Sequence, residues 1–173
     1  MRTDRRSSPV APLKRRIHNV ALAAAMLSAA GAAQAGTGQT CNILLCVTVI
    51  AGDLAFGNYA PLSALVTDST STIAIQARLI LGLLPTAVSY TIGLGTGAGT
   101  VAQRKMTSGA HGLNYNLYTT VAHGTIWGAG SVSGATSGIT GNASHTVYGR
   151  IPASQTTVVP GSYADSIVVT VTF

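Results

Sequence analysis

Val147-Tyr-Gly-Arg-Ile-Pro-Ala-Ser-Gln155 and Pro160-Gly-Ser-Tyr-Ala-Asp-Ser-Ile-Val-Val-Thr-Val-Thr-Phe173 decide the fold. They read as two strands split by a Pro-Gly turn. In the second, Val168, Thr170 and Thr172 alternate with Ile167, Val169, Val171 and Phe173. That spacing gives one aliphatic and aromatic face and one mixed face. The sequence runs to the last residue of this strand without a cap or tail, which predicts a sheet ending on a bare edge. Unpaired edges invite pairing with other chains, so the protein is expected to act by assembly.

The N-terminal stretch reads differently. Arg2, Arg5, Arg6, Lys14, Arg15 and Arg16 precede an Ala/Leu-rich run over residues 20–33, and Ala33-Gln-Ala35 supplies a small-x-small cleavage pattern. Residues 1–35 are therefore expected to be a secretory signal, by the general route, since nothing else around Arg15-Arg16 marks a twin-arginine signal. The apolar run is too short and Ala-rich for a membrane span, so no integral membrane segment is expected after cleavage. Residues 36–173 suffice for one domain with a core of its own.

Removing the leader changes the charge balance. Six of the ten Lys/Arg residues lie in it, and residues 36–173 keep Arg78, Arg104, Lys105 and Arg150 against Asp53, Asp68 and Asp165. The high isoelectric point thus belongs to the leader, and no nucleic-acid partner is expected. The domain is nearly uncharged, has no Glu and is rich in Thr, Ser, Gly, Ala and Val, a composition that favours association.

Strand-like runs cover residues 44–50, 71–81, 86–94, 113–118, 145–151, 155–159 and 166–173, separated by Gly, Pro and Asn turns. Short strands at close spacing predict a β-sandwich or barrel. Residues 74–84 also suit a helix by composition, but β-branched neighbours, Gly82 and Pro85 favour a strand. Residues 119–144 are rich in Gly, Ser, Thr and Ala around one island, Ile126-Trp127-Gly128. They read as a surface loop whose Trp127 plugs into the sandwich, or as a ligand-binding loop that presents it.

No catalytic constellation emerges, so an enzyme is not expected. Three acids leave few options for paired-carboxylate chemistry, no Gly-x-Ser-x-Gly elbow occurs, and Gly93-Leu-Gly-Thr-Gly97-Ala-Gly99 lacks the Lys-Ser/Thr ending of a phosphate loop and reads as a tight turn. No cofactor is expected. His111, His123 and His145 are too widely spaced to predict a metal site. Arg104-Lys105, the only basic pair outside the leader, reads as a solvated turn. Cys41 and Cys46, in an exported protein, suggest a disulfide, which requires a turn across residues 42–45.

Together the residues resemble the spore coat protein U domain family. The resemblance rests on Cys46-Val-Thr-Val leading into Leu54-Ala-Phe-Gly-Asn-Tyr59, Val88-Ser-Tyr-Thr-Ile92, Arg104-Lys-Met106, Leu113-Asn-Tyr-Asn-Leu-Tyr118, Trp127-Gly128, Val147-Tyr-Gly-Arg-Ile151 and Pro160-Gly-Ser-Tyr-Ala-Asp165. They occur in order across residues 41–173. The same domain forms the subunits of archaic, Csu-type chaperone–usher pili. The resemblance implies an all-β, immunoglobulin-like sandwich that lacks its final strand and is completed by strand addition. It implies a periplasmic chaperone, an outer-membrane usher and other copies or related subunits as partners, and export through the periplasm to a pilus or coat. Ile167, Val169, Val171 and Phe173 would border the groove and pair with the chaperone, with the Phe173 carboxylate as an anchor.

Two departures from the family pattern bear on the site. Members usually carry a second cysteine at the position matching Ala77, so the usual bridge from Cys46 is impossible, and Cys41 is either a substitute partner or free. The segment before Cys46 is also short for a donor strand. Thr40, Ile43 and Leu45 are its candidate donor residues, the last two only if Cys46 is untied. The other functional expectation is a secreted adhesin or glycan-binding module using Trp127 and its loop.

Overall fold

The structure, a computed structural model, describes residues 21–28, 36–41, 45–80, 87–136 and 140–173. Ten strands follow in order: β1 (Ala21–Ser28), β2 (Gly36–Cys41), β3 (Leu45–Ala51), β4 (Thr67–Leu79), β5 (Val88–Leu94), β6 (Arg104–Ser108), β7 (His111–Tyr118), β8 (Val132–Thr136), β9 (Thr140–Ile151) and β10 (Ala164–Thr172). They link as β2-β3-β4-β9-β7-β6-β10-β5-β8, with β1 added on β10. Every pairing is antiparallel.

The order closes into two layers because β7 belongs to both. Its first half pairs with β6, from Ser108↔His111 to Arg104↔Tyr115, and its second half pairs with β9, from Asn116↔Arg150 to Tyr118↔Tyr148. One layer is therefore β2-β3-β4-β9-β7 and the other β7-β6-β10-β5-β8. Alternating residues of each layer face inward: Val47, Val49, Ile73, Ile75 and Val147 from one, and Tyr90, Ile92, Leu94, Ile167, Val169 and Val171 from the other. Period-two burial of this kind is what fixes strand register, since a one-residue slip would turn each inward side chain to water. The longest ladder, β4 on β9, runs from Thr67↔Ile151 to Arg78↔Thr140.

Several expectations change. Residues 155–159 form turns, and Gln155 acts through its side chain instead. Its Nε2 donates to Asn114 O at 2.8 Å, and Asn114 N donates to its Oε1 at 2.9 Å, so the amide pairs with β7 as a short strand would. Residues 119–144 are not one loop: β8 and the start of β9 lie within them. The ambiguous run is strand as far as Leu79, and residues 81–84 lie outside the described residues. β6 was hidden from pattern reading because its inward positions are Arg104 and Met106.

Candidate strand-pairing site

β10 is the centre of the site. Ile167, Val169 and Val171 are buried, Val168 points outward at 50% exposure, and Phe173 lies beyond the strand at 46%. Phe173 is thus not part of the apolar floor, because the inward alternation ends at Val171. Ile167 and Val169 join Leu54, Ile73, Leu94, Leu117 and Val147 around a narrow apolar cleft between the layers.

The two edges of β10 have different partners. One edge meets β5, with Val169↔Leu94 through Thr172↔Thr91, and β6 at Ala164↔Thr107. Gly95 N extends that edge by donating to Val168 O at 2.9 Å. The other edge pairs with β1, from Ala21↔Thr170 to Ser28↔Ala164, with a register shift between Ala21 and Ala24. β1 also runs alongside β2 and β3, so it lies where the two layers meet.

A buried polar network fixes the end of β10. Asp165 accepts from Tyr115 Oη at 2.7 Å, from Ala98 N at 3.0 Å and from Ser166 N at 2.8 Å. Burial, reinforced by the Asp165 carboxylate, pushes the Tyr115 hydroxyl well above its ordinary value, so it stays a donor. The turn above this carboxylate needs Gly97: its φ is +60°, and a Cβ there would collide with the Asp165 carboxylate.

Arg104 supports the neighbouring strands. It is fully buried, not a solvated turn residue as the sequence suggested. Its Nε donates to Gly95 O at 2.9 Å, its Nη1 to Asn116 Oδ1 at 2.7 Å, and its Nη2 to Leu94 O at 3.2 Å and Trp127 O at 2.7 Å. Burial lowers the guanidinium pKa, and four acceptors compensate the lost hydration. Asn116 completes the set by donating to Ala102 O at 2.7 Å. One residue therefore ties β5, β6, β7 and the segment around Trp127 together. The signal in the sequence was Arg104 two residues before Met106 in a strand-length stretch, but an isolated arginine reads as surface by default.

Trp127 is not a surface-binding residue. It is 1% exposed, its Nε1 donates to Ile92 O at 3.2 Å, and its backbone N donates to Leu117 O at 2.8 Å. The large apolar ring is worth more inside the sandwich than in water, which removes the feature on which a Trp127-based glycan site depended. The histidines are dispersed as well. His111 sits at the exposed tip between β6 and β7, His123 packs against the Tyr118 and Tyr148 rings, and His145 bonds to Tyr90 Oη at 2.9 Å. Among the described residues, no three His, Cys, Asp or Glu side chains come together as metal ligands.

Cys41 and Cys46 form a disulfide across the end of the β2–β3 pairing, at the position where they face each other. Thr40 and Leu45 consequently lie on opposite arms of a hairpin, Thr40 paired with Val47 and Leu45 with Leu79. Ile43 lies outside the described residues. While the bridge stands, Thr40 and Leu45 do not share one extended donor strand. At the opposite pole, Tyr59, Leu62, Leu113, Val158 and Tyr163 border an open cleft of about 530 Å³.

A family model, the Spore Coat Protein U domain, matches residues 26–170. The chain belongs to this family. A search of curated proteins returns no significant match. Among solved structures, the chain is similar to one from a complex of the CsuC chaperone and the CsuE tip adhesion subunit, a pre-assembly complex of the archaic chaperone–usher Csu pili of Acinetobacter baumannii. The TM-score is 0.53 at 21% identity, covering 76% of this chain and 40% of that chain. This chain thus spans about two fifths of the length of that relative. The likeness shows the fold, an all-β immunoglobulin-like sandwich. The Spore Coat Protein U match begins at residue 26, inside β1 and ahead of the expected cleavage point.

Proposed function

We propose that this Spore Coat Protein U protein is an exported structural subunit of a surface pilus or coat, assembled by strand addition. Residues 1–35 direct export, and residues 36–173 form the working sandwich. A periplasmic chaperone lends a strand to the second edge of β10, and at an outer-membrane usher that strand is exchanged for one from another copy or related subunit. The observation that carries this reading is the pairing of β10: β5 and β6 share one edge, while the other accepts an antiparallel strand from outside residues 36–173. Backbone hydrogen bonds along such an edge supply affinity, and the apolar cleft beneath Ile167 and Val169 supplies selectivity for apolar side chains.

The family match and the fold shared with a chaperone–pilus complex support the same conclusion. A structural role also suits the polar residues, since Arg104, Tyr115 and Asp165 are spent on bonds within the fold.

The test is expression of the precursor in a bacterial periplasm with and without a candidate chaperone, followed by mass and light-scattering analysis of the soluble product. Recovery as a chaperone complex or a detergent-resistant polymer is expected. A cleaved product that is a stable monomer without any chaperone would overturn the reading.

A further inference from the structure

We propose that the outer face of the layer holding β2, β3, β4 and β9 binds a carboxylate-bearing polysaccharide, across a row of amide and hydroxyl side chains beside Arg78. The site lies in the layer that does not contain β10, so it stands apart from the strand addition proposed above.

The strand registers build the row. Gln39 on β2 faces Thr48 on β3, Thr48 faces Gln76 on β4, and Gln76 faces Asn142 on β9. The neighbours Val47, Val49, Ile75 and Ala77 are buried, so strand alternation turns the row outward. With strands about 4.8 Å apart, it spans about 14 Å, wider than a single sugar ring. In the adjoining row Cys46 faces Arg78. These six residues border one open depression of about 560 Å³. The Cys41–Cys46 bridge ties β2 to β3 and thereby seats Gln39.

Two observations point to a ligand. Among the described residues, the side chains of Gln39, Thr48, Gln76, Asn142 and Arg78 make no hydrogen bond or ion pair within the fold. Gln155, Asn116, Arg104 and Arg150, by contrast, are all bonded internally. The second observation is charge. Arg78 is exposed, and the three acids of residues 36–173 lie elsewhere. Asp165 is buried in the other layer, and Asp53 follows the opposite end of β3. Asp68 is roughly 30 Å down β4 and is bonded to Arg150.

That chemistry selects the ligand. Amides both donate and accept, as sugar hydroxyls do, so the row can bond a hydroxyl-rich chain. Arg78 offers a planar fork for a carboxylate. A second copy stacked on this face would bring a second Arg78 and no acid to meet it. One open site binds modestly, but along a fibre of many subunits such sites act together and hold a long acidic chain.

The experiment titrates the exported protein, in the form in which the periplasm yields it, by calorimetry; any co-purified chaperone is titrated alone as the blank. The probes are a galacturonic acid tetramer, the methyl ester of that tetramer and a tetra-aspartate peptide. The acid tetramer is expected to bind, and the ester to bind at least about tenfold more weakly, the loss of one charge-assisted hydrogen bond. Arg78→Gln is expected to reproduce that loss, and Gln76→Ala to weaken the acid about threefold. Both variants are expected to keep the parent melting temperature, because neither side chain is bonded within the fold.

Failure of the acid tetramer to bind, or full binding by Arg78→Gln, would overturn the proposal. Equal binding of the aspartate peptide would also overturn it, since charge alone would then explain the site. A change in oligomeric size in Gln76→Ala would do the same, by making the face a contact between copies.

Discussion

At the scale of single residues, Arg104 carries the most consequence. Its planar fork reaches three carbonyls and an amide oxygen at once, which an ammonium cannot reproduce. Arg104→Lys is expected to cost about 2–4 kcal/mol, read as a shift in urea midpoint without a change in slope. Trp127→Ala is expected to cost about 3–5 kcal/mol by leaving a cavity, measured the same way. An unchanged midpoint in either variant would contradict the packing described. His145 gives the pH dependence. Burial holds its imidazole below the ordinary value of 6.5. On acidification the unfolded chain therefore gains a proton first, from about pH 6.5 downward. Stability is full above that point, falls through the window between the two values, and levels off below the folded one. Melting curves from neutral to mildly acidic buffer check this, and His145→Gln is expected to flatten the slope. Asp68 acts in a lower window. Hydrogen bonds from Arg150, at 2.7 and 2.6 Å, hold its carboxyl below the ordinary 3.8, so its small exposed contribution is lost only as pH falls below that value.

At the scale of elements, the β2–β3 hairpin stands or falls with its disulfide. Opening a loop this small, by Cys46→Ser, is expected to cost about 2 kcal/mol through the unfolded chain's restored freedom. Hydrogen exchange is expected to rise in β2 before it rises in β4, since among the described residues β2 pairs with β3 alone whereas β4 pairs with both β3 and β9. Strands with regular alternation were legible from sequence: β10, β5, β7 and the later part of β9 all show apolar residues at every second place. Elements that break that rule were not. β6 places a guanidinium where an aliphatic side chain is expected, and β8, Val-Ser-Gly-Ala-Thr, has the composition of a loop. Gln155 misled in the opposite direction, because its amide supplies the pairing that a strand-like run suggested its backbone would make. The site shows the same division. Ile167, Val169 and Val171 were readable as a face, whereas which edge of β10 is occupied depends on pairings between residues more than 70 apart.

At the scale of the whole molecule, residues 36–173 carry four Lys/Arg and three Asp, and Arg104 and Asp165 are buried. Surface electrostatics therefore contribute little, and the melting temperature of the folded chain is expected to vary by only about 2 °C between low and molar salt. A larger shift would mean that charged groups carry more of the fold than their geometry shows. The near absence of charge also fits a protein that lies against its own kind, where each ion buried in a contact would have to find a counterpart. The sharing of β7 between layers has a further outcome. Its two halves hydrogen-bond to β6 on one side of the molecule and to β9 on the other, so neither layer can melt while the other keeps its hydrogen bonds intact. Heated in a calorimeter, the sandwich is expected to behave as one cooperative unit with a single peak of heat absorption, and in the proposed fibre each subunit is expected to soften as a whole instead of layer by layer.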